Sequence, residues 1–135
     1  MLNWLRRLRS PAPLRGAPAV RRQKTYSAES GYVYQYFYEG HRDSKHQGHP
    51  ATEFVFDVSS DRKTSFPVSV FVSQQVLMPW QQRNGRTLTS TECYAIAKMG
   101  LFHAFDTRDH PDSMHLAVEL TGDDVDRFLE ALGID

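Results

Sequence analysis

The chain predicts an α+β domain, an antiparallel sheet with helices packed on one face in the order β-β-β-α-α-β-α, behind a disordered basic N-terminal tail. Three observations predict it. Three segments alternate in the two-residue rhythm of strands, later segments combine capping signals with apolar residues at helical spacing, and charge is divided along the chain. The first 24 residues hold seven Lys or Arg and no acid, whereas residues 25–135 hold nine bases against sixteen acids. A formally neutral chain is thus a positive tail joined to a negative body.

In the tail, residues 1–24, Pro11, Pro13, Gly16 and Pro18 break any helix begun by Met1 to Arg9 and favour extended, solvated chain. A single domain spans residues 25–135, with its packed part expected to start near Gly31. From Tyr32 to Glu39 the alternation is strict: Tyr32, Tyr34, Tyr36 and Tyr38 share one face, and Val33, Gln35, Phe37 and Glu39 the other. Gly40 to Pro50 reads as a polar loop. Thr52 to Val58 forms the second strand, with Phe54, Phe56 and Val58 together. Ser65 to Val72 forms the third, with Phe66, Val68, Val70 and Val72 together, and its Pro67 calls for an edge or a bulge.

Ser73 caps a short helix through Val76, Leu77 and Trp80, closed by Asn84-Gly85 and kinked or started by Pro79. Thr89-Ser90-Thr91-Glu92 has capping-box spacing, so a helix runs from Cys93 to Phe105. Its small residues Cys93, Ala97, Gly100 and Ala104 allow close approach to the sheet. A loop from Thr107 to Ser113 leads to a strand bearing Leu116, Val118 and Leu120. Thr121 then starts a last helix with Val125, Phe128, Leu129 and Leu132 on one stripe, ending at Gly133.

Cys93 is the only cysteine, so no intramolecular disulfide is available, and its apolar surroundings point to a core role in a reducing compartment. No apolar run of about 18 residues exists to span a bilayer. The motifs Gly-x-Ser-x-Gly, Gly-Lys-Ser/Thr, Gly-x-Gly-x-x-Gly and Cys-x-x-Cys are absent, which leaves hydrolase, nucleotide and redox enzymes without a signature. No cofactor is implied. His41, His46 and His49 have a spacing that suits metal ligands, but their loop also holds Arg42 and Lys45, so it reads as solvated and no metal is assigned. His103, Asp106, Asp109, His110, Asp112 and His115 gather acids and imidazoles around the end of the main helix. An acid-base or metal-dependent enzyme built on these clusters is the alternative to a binding protein.

The tyrosine face offers a stacking platform for bases or a core beneath the helices; the polar residues opposite favour the core. The outer face then presents Val33, Phe37, Val55 and Phe71 among polar residues, a surface for protein or self-association. In the tail, Arg6, Arg7, Arg9, Arg15, Arg21, Arg22 and Lys24 suit the phosphates of RNA or another anionic surface. The reading is a small, non-catalytic, cytoplasmic binding or accessory protein. Alternatively the tail is an address: it is arginine-rich and acid-free, and Lys24-Thr25-Tyr26 before Ser27-Ala28 resembles a mitochondrial matrix processing site.

Overall fold

The structure is a computed structural model that describes residues 12–135, so Arg6, Arg7 and Arg9 lie outside the described residues. Five strands form one sheet in sequence order: β1 (Lys24–Ser27), β2 (Val33–His46), β3 (His49–Ser59), β4 (Phe66–Ser73) and β5 (Val118–Glu119). Between β4 and β5 lie α1 (Gln74–Asn84), α2 (Ser90–Thr107) and a short 3-10 turn (Pro111–His115); α3 (Gly122–Leu132) follows β5. The α+β architecture is as the sequence predicts. Several features differ. The packed chain starts before Gly31, because Lys24 to Ser27 pairs with Tyr36 to Val33 as an extra edge strand. The sheet is also not wholly antiparallel: β5 runs parallel to β4, as it can only after the long crossover through α1 and α2.

The expected polar loop from Gly40 to Pro50 is instead the end of a long β2–β3 hairpin. Gln47 and Gly48 both take positive φ, 52° and 80°, the backbone of the two-residue turn whose twist matches that of the flanking strands. Register slips once, between Tyr38 and Gly40. This bulge lets Tyr34, Tyr36 and Tyr38 face the helices and then puts His41 on the same side. In β4, Pro67 needs no further partner, because β5 pairs only with Val70 and Phe71. The last strand is shorter than its apolar pattern suggests: Val118 is buried, but Leu116 is 68% exposed. Arg108 shapes the approach to it by donating to the carbonyls of Ser113, Leu116 and Ala117 at 2.7, 2.8 and 3.0 Å.

Each helix starts on a side-chain cap. Ser73 accepts from the Val76 amide, while Thr89 with Glu92 and Thr121 with Asp124 form complete capping boxes. Helix α1 begins at Gln74 and continues through Pro79, burying Leu77 and Trp80. Helix α2 packs tightly at Gly100, where a methyl group would come within 2.7 Å of the Leu120 side chain, just past β5, and 3.6 Å of Val70 in β4. Aromatic stacking fixes this end of the helix: Tyr34 lies on Phe105 with centroids 4.1 Å apart, and Tyr26 of β1 lies on Phe102 at 4.3 Å. The Tyr26 hydroxyl donates to Asp106 at 2.8 Å, the Glu29 amide donates to the same carboxylate at 2.9 Å, and Ser30 donates to the Phe105 carbonyl at 2.7 Å.

Tyr34 is 0% and Tyr36 is 4% exposed, so the tyrosine face is core. The Tyr34 hydroxyl is buried with no hydrogen-bond partner among the described residues, which sets two substitutions apart. Tyr34→Phe should keep the stack on Phe105 and leave stability unchanged or raised by about 1 kcal/mol. Tyr34→Ala should cost about 3–5 kcal/mol through the cavity it leaves. Denaturant unfolding of the two variants measures both, and a marked loss in Tyr34→Phe would mean that the hydroxyl does have a partner.

Candidate anion-binding groove

Residues 12–23 lie along the free edge of β2, continuing the path of β1. The Arg15 amide donates to the His41 carbonyl and the His41 amide to the Arg15 carbonyl, both at 2.8 Å. Gly40 makes this approach possible: its φ is +124°, and a Cβ there would lie 2.6 Å from the Arg15 carbonyl oxygen. Further along, Arg21 lies over the Phe37 ring, 3.8 Å from its centroid, and donates to Glu39 at 3.0 Å and Asp57 at 2.9 Å. Hydrogen bonds and charge from these two acids raise the Arg21 pKa further above its ordinary value. Arg42 reaches the Ala12 carbonyl at 3.5 Å. The chain alternates as a strand does, so Val20, Arg22 and Lys24 turn to the helix side, while Arg21, Gln23 and Thr25 turn to the outer face.

This alternation sorts the tail bases. Arg15 stands 3.5 Å from Asp43, but both side chains are largely exposed, and such a pair contributes little. Arg21 is held by the body's acids. Arg22 and Lys24 instead face α2, where Lys98 joins them. Their cavity, about 350 Å³, is lined by these three bases, Tyr36, Tyr38, Tyr94, Pro18 and Val20, with no acid among the lining residues. Lys98 lies 5.9 Å from the Tyr36 centroid and 5.8 Å from that of Phe102, within cation–π range. Burial, and then the charge of Lys24, lower its pKa below the ordinary lysine value. The half-buried Lys98 thus shares this space with the exposed Arg22 and Lys24, and no acid lines it.

Pro18, Tyr38 and Tyr94 also line a second cavity of about 590 Å³ at the first turn of α2, so the two spaces adjoin beside the N-terminal segment and are treated together as a groove. Its floor is aromatic, with Tyr38, Phe54 and Tyr94; Tyr38 and Tyr94 lie 4.7 Å apart between centroids. Its rim carries hydroxyls from Thr52, Ser90 and Thr91. The Tyr38 hydroxyl and His41 Nδ1 share a hydrogen bond of 3.1 Å. Burial, and then Tyr94, push the Tyr38 pKa up to about 12, so its hydroxyl keeps its proton at neutral pH. Cys93 also lines this space, but burial and then Glu92 raise its thiol pKa, which opposes thiolate chemistry.

The residues expected on the outer face are dispersed. Val33 is 41% exposed, Val55 is 6% exposed, Phe37 lies under Arg21, and Phe71 is stacked against His46 with centroids 4.7 Å apart. At the centre of that face Arg42 grips Glu53 at 3.0 and 3.2 Å, and Ser69 donates to the same carboxylate at 2.6 Å. Burial pushes the Glu53 pKa up, but these hydrogen bonds outweigh it and leave it below the usual value. At the other end of β2, opposite Ser59, Gln35 is buried with its Oε1 unpartnered among the described residues.

The histidines do not converge. His41 faces the groove, His46 reaches Glu119 at 3.3 Å, and His49 stands opposite His46 across the hairpin. In the second cluster, Asp106 anchors the β1–β2 turn. His110 caps the 3-10 turn by accepting from the Asp112 amide and lies 3.5 Å from that residue's carboxylate, and His115 stacks on Phe66 at 3.8 Å. His103 and Asp109 are exposed on the surface. Among the described residues no three His, Cys, Asp or Glu side chains come together as a metal site.

The sequence reading misses Lys98 and the role of Tyr94. Their signal is a lone lysine in the otherwise apolar run from Cys93 to Leu101, four residues after a tyrosine and so on the same helix face.

The first turn of α2, which shapes the larger cavity, depends on Glu92. Arg86 donates to its two oxygens at 2.8 Å each, and with the Thr89 amide this holds its pKa down to about 2, against an ordinary value of 4.5. A depressed carboxylate contributes stability that is present above pH 4.5 and is lost as pH falls toward 2. Glu92→Gln should therefore flatten the acid limb of the stability curve in that window. Thr89→Ala should cost about 1 kcal/mol at neutral pH. Urea melts between pH 2 and 7 test both, and an acid limb unchanged in Glu92→Gln would show that the pair contributes nothing.

No protein-family model, no curated protein and no solved structure matches this chain.

Proposed function

We propose that the protein is a small, non-catalytic binding or accessory protein whose basic N-terminal segment contacts an anionic partner, RNA or a ribonucleoprotein. The observation that carries this reading is the meeting of Arg22, Lys24 and Lys98 in a space lined by no acid, within a body of nine bases and sixteen acids. Arg21 fixes the segment to the body, which turns its neighbour Arg22 toward that space. Burial, and then the charge of Lys24, lower the pKa of Lys98, and a phosphate placed among the three bases would favour its charged form against both. In sequence, Arg6, Arg7, Arg9 and Arg15 add further bases to the same segment. Outer-face association has less support, since of its four apolar residues only Val33 is well exposed.

The address reading is weakened by β1. A cut before Ser27 would remove Lys24, Thr25 and Tyr26, and with them the stack on Phe102 and the hydrogen bond to Asp106. The segment belongs to the working domain, and the cytoplasm is the compartment we assign to it.

The test is the full chain carrying Arg22→Ala, Lys24→Ala and Lys98→Ala together, titrated with a single-stranded RNA at several salt concentrations. The salt slope should shrink by roughly 2, at about 0.7 for each phosphate contact to a single strand. A control carrying Lys45→Ala, Arg62→Ala and Lys63→Ala has the same net charge and should bind as the unaltered chain does. Equal losses in both variants, or binding that ignores salt, would remove the groove from the reading.

A further inference from the structure

Building on that reading of an anionic partner, we infer that the groove under the N-terminal segment is a nucleotide site, with the phosphate among Arg22, Lys24 and Lys98 and the base against Tyr38 and Tyr94. The two halves of the groove differ in the way the two halves of a nucleotide do. The smaller cavity, about 350 Å³, holds three bases and no acid. The larger, about 590 Å³, has an aromatic floor of Tyr38, Phe54 and Tyr94 beneath the hydroxyls of Thr52, Ser90 and Thr91. A base has a flat face for the first set and polar edges for the second. The only acid lining the larger space, Asp43, stands 3.5 Å from Arg15 and so does not oppose an anion alone.

Other anions match less of the groove. Inorganic phosphate satisfies the three bases but leaves the aromatic cavity empty. A fatty acid fills an apolar cavity but makes no use of the hydroxyl rim. The size is also suitable, since sites for small organic ligands occupy about 300–1,000 Å³. Tyr38 and Tyr94 border both cavities, so a ligand spanning the groove must pass over them. The backbone of residues 15–18 lies beside this junction, with Gly16 packed against the His41 ring.

A nucleoside monophosphate can arrive free or as one unit of an RNA strand, and both present the same chemistry. The full-length chain is titrated with adenosine monophosphate, uridine monophosphate, adenosine, inorganic phosphate and an eight-nucleotide RNA, with tyrosine and tryptophan fluorescence as the readout. At least one monophosphate or the RNA should bind, with adenosine and phosphate each at least tenfold weaker. A free nucleotide is the ligand if a monophosphate matches the RNA, and a strand is the ligand if the RNA is far tighter. Tyr94→Leu should weaken the bound species about tenfold or more without changing the salt slope, and Tyr94→Phe should restore it. Should Tyr94→Leu fail to fold, Thr91→Trp on the exposed lip of the larger cavity fills the same space and should produce the same loss.

Unchanged affinity in Tyr94→Leu, alongside lost binding when the three bases are replaced, overturns the nucleotide site and leaves a phosphate contact only. Unchanged affinity in both sets of variants overturns the site and the anionic reading together. Failure of both the monophosphates and the RNA to bind the unaltered chain also overturns the inference, and binding of inorganic phosphate as tight as either removes the role of the base.

Discussion

The distance between helix α2 and the sheet governs everything else in this molecule. At the C-terminal half of the helix that distance is short: Gly100 leaves no room for a methyl group beside Leu120, and Phe102 and Phe105 lie flat against Tyr26 and Tyr34. At the first turn of the helix Cys93 and Tyr94 instead line the cavity of about 590 Å³, together with Tyr38 and Phe54. Close packing at one end and an open space at the other follow from the placement of small and large residues along one helix. The stacked tyrosines that stabilise the fold thus also position the ring, Tyr94, on which the groove depends.

The charge division along the chain takes on a different meaning once the N-terminal segment is seen in place. A tail solvated as a whole would present its bases equally, but an extended edge segment presents alternate residues to opposite faces. One face of this segment meets Glu39 and Asp57, so Arg21 serves as an attachment. The other meets the tyrosines and Lys98, so Arg22 and Lys24 remain without an acid in the space they line. The residue that attaches the segment, Arg21, is thus adjacent to one that lines the acid-free space, Arg22. The bulge at Gly40 is what lets the segment come near enough for either role, because a side chain there would strike the Arg15 carbonyl.

Much of this fold is legible in the sequence, and the gaps have physical causes. The strict alternation from Tyr32 to Glu39, the capping boxes at Thr89 and Thr121 and the αL glycine after α3 are strong local signals, and the corresponding elements form where they point. The extension of the β2–β3 hairpin is hidden because its residues are polar on both faces, and backbone pairing needs no apolar pattern. Strand β1 is masked by composition: Val20, Arg22, Lys24 and Tyr26 alternate with Arg21, Gln23 and Thr25, but the prolines and arginines before them suggest solvated chain. Strand β5 is overextended in the reading because Leu116 looks apolar in sequence, whereas Arg108 draws the carbonyls of that stretch toward itself and leaves the leucine outside. The groove is the least legible part, since Arg22, Tyr38, Tyr94 and Lys98 lie on three stretches of chain that only the edge pairing of the N-terminal segment and the packing of α2 on the sheet bring together.

The surroundings of Lys98 set the groove apart. Lys98 is half-buried beside the exposed bases Arg22 and Lys24, although the body of this chain has acids to spare. Arg21, Arg42 and Arg86 each meet a carboxylate, and Arg108 meets three carbonyls. Every one of these cations has a protein partner, while Lys98 has aromatic rings and a second lysine. A nearby glutamate would stabilise the empty protein, but it would also occupy the position that an anion needs. An anion bound there, as proposed above, would offset the charge of Lys24, the smaller of the two causes that lower the Lys98 pKa.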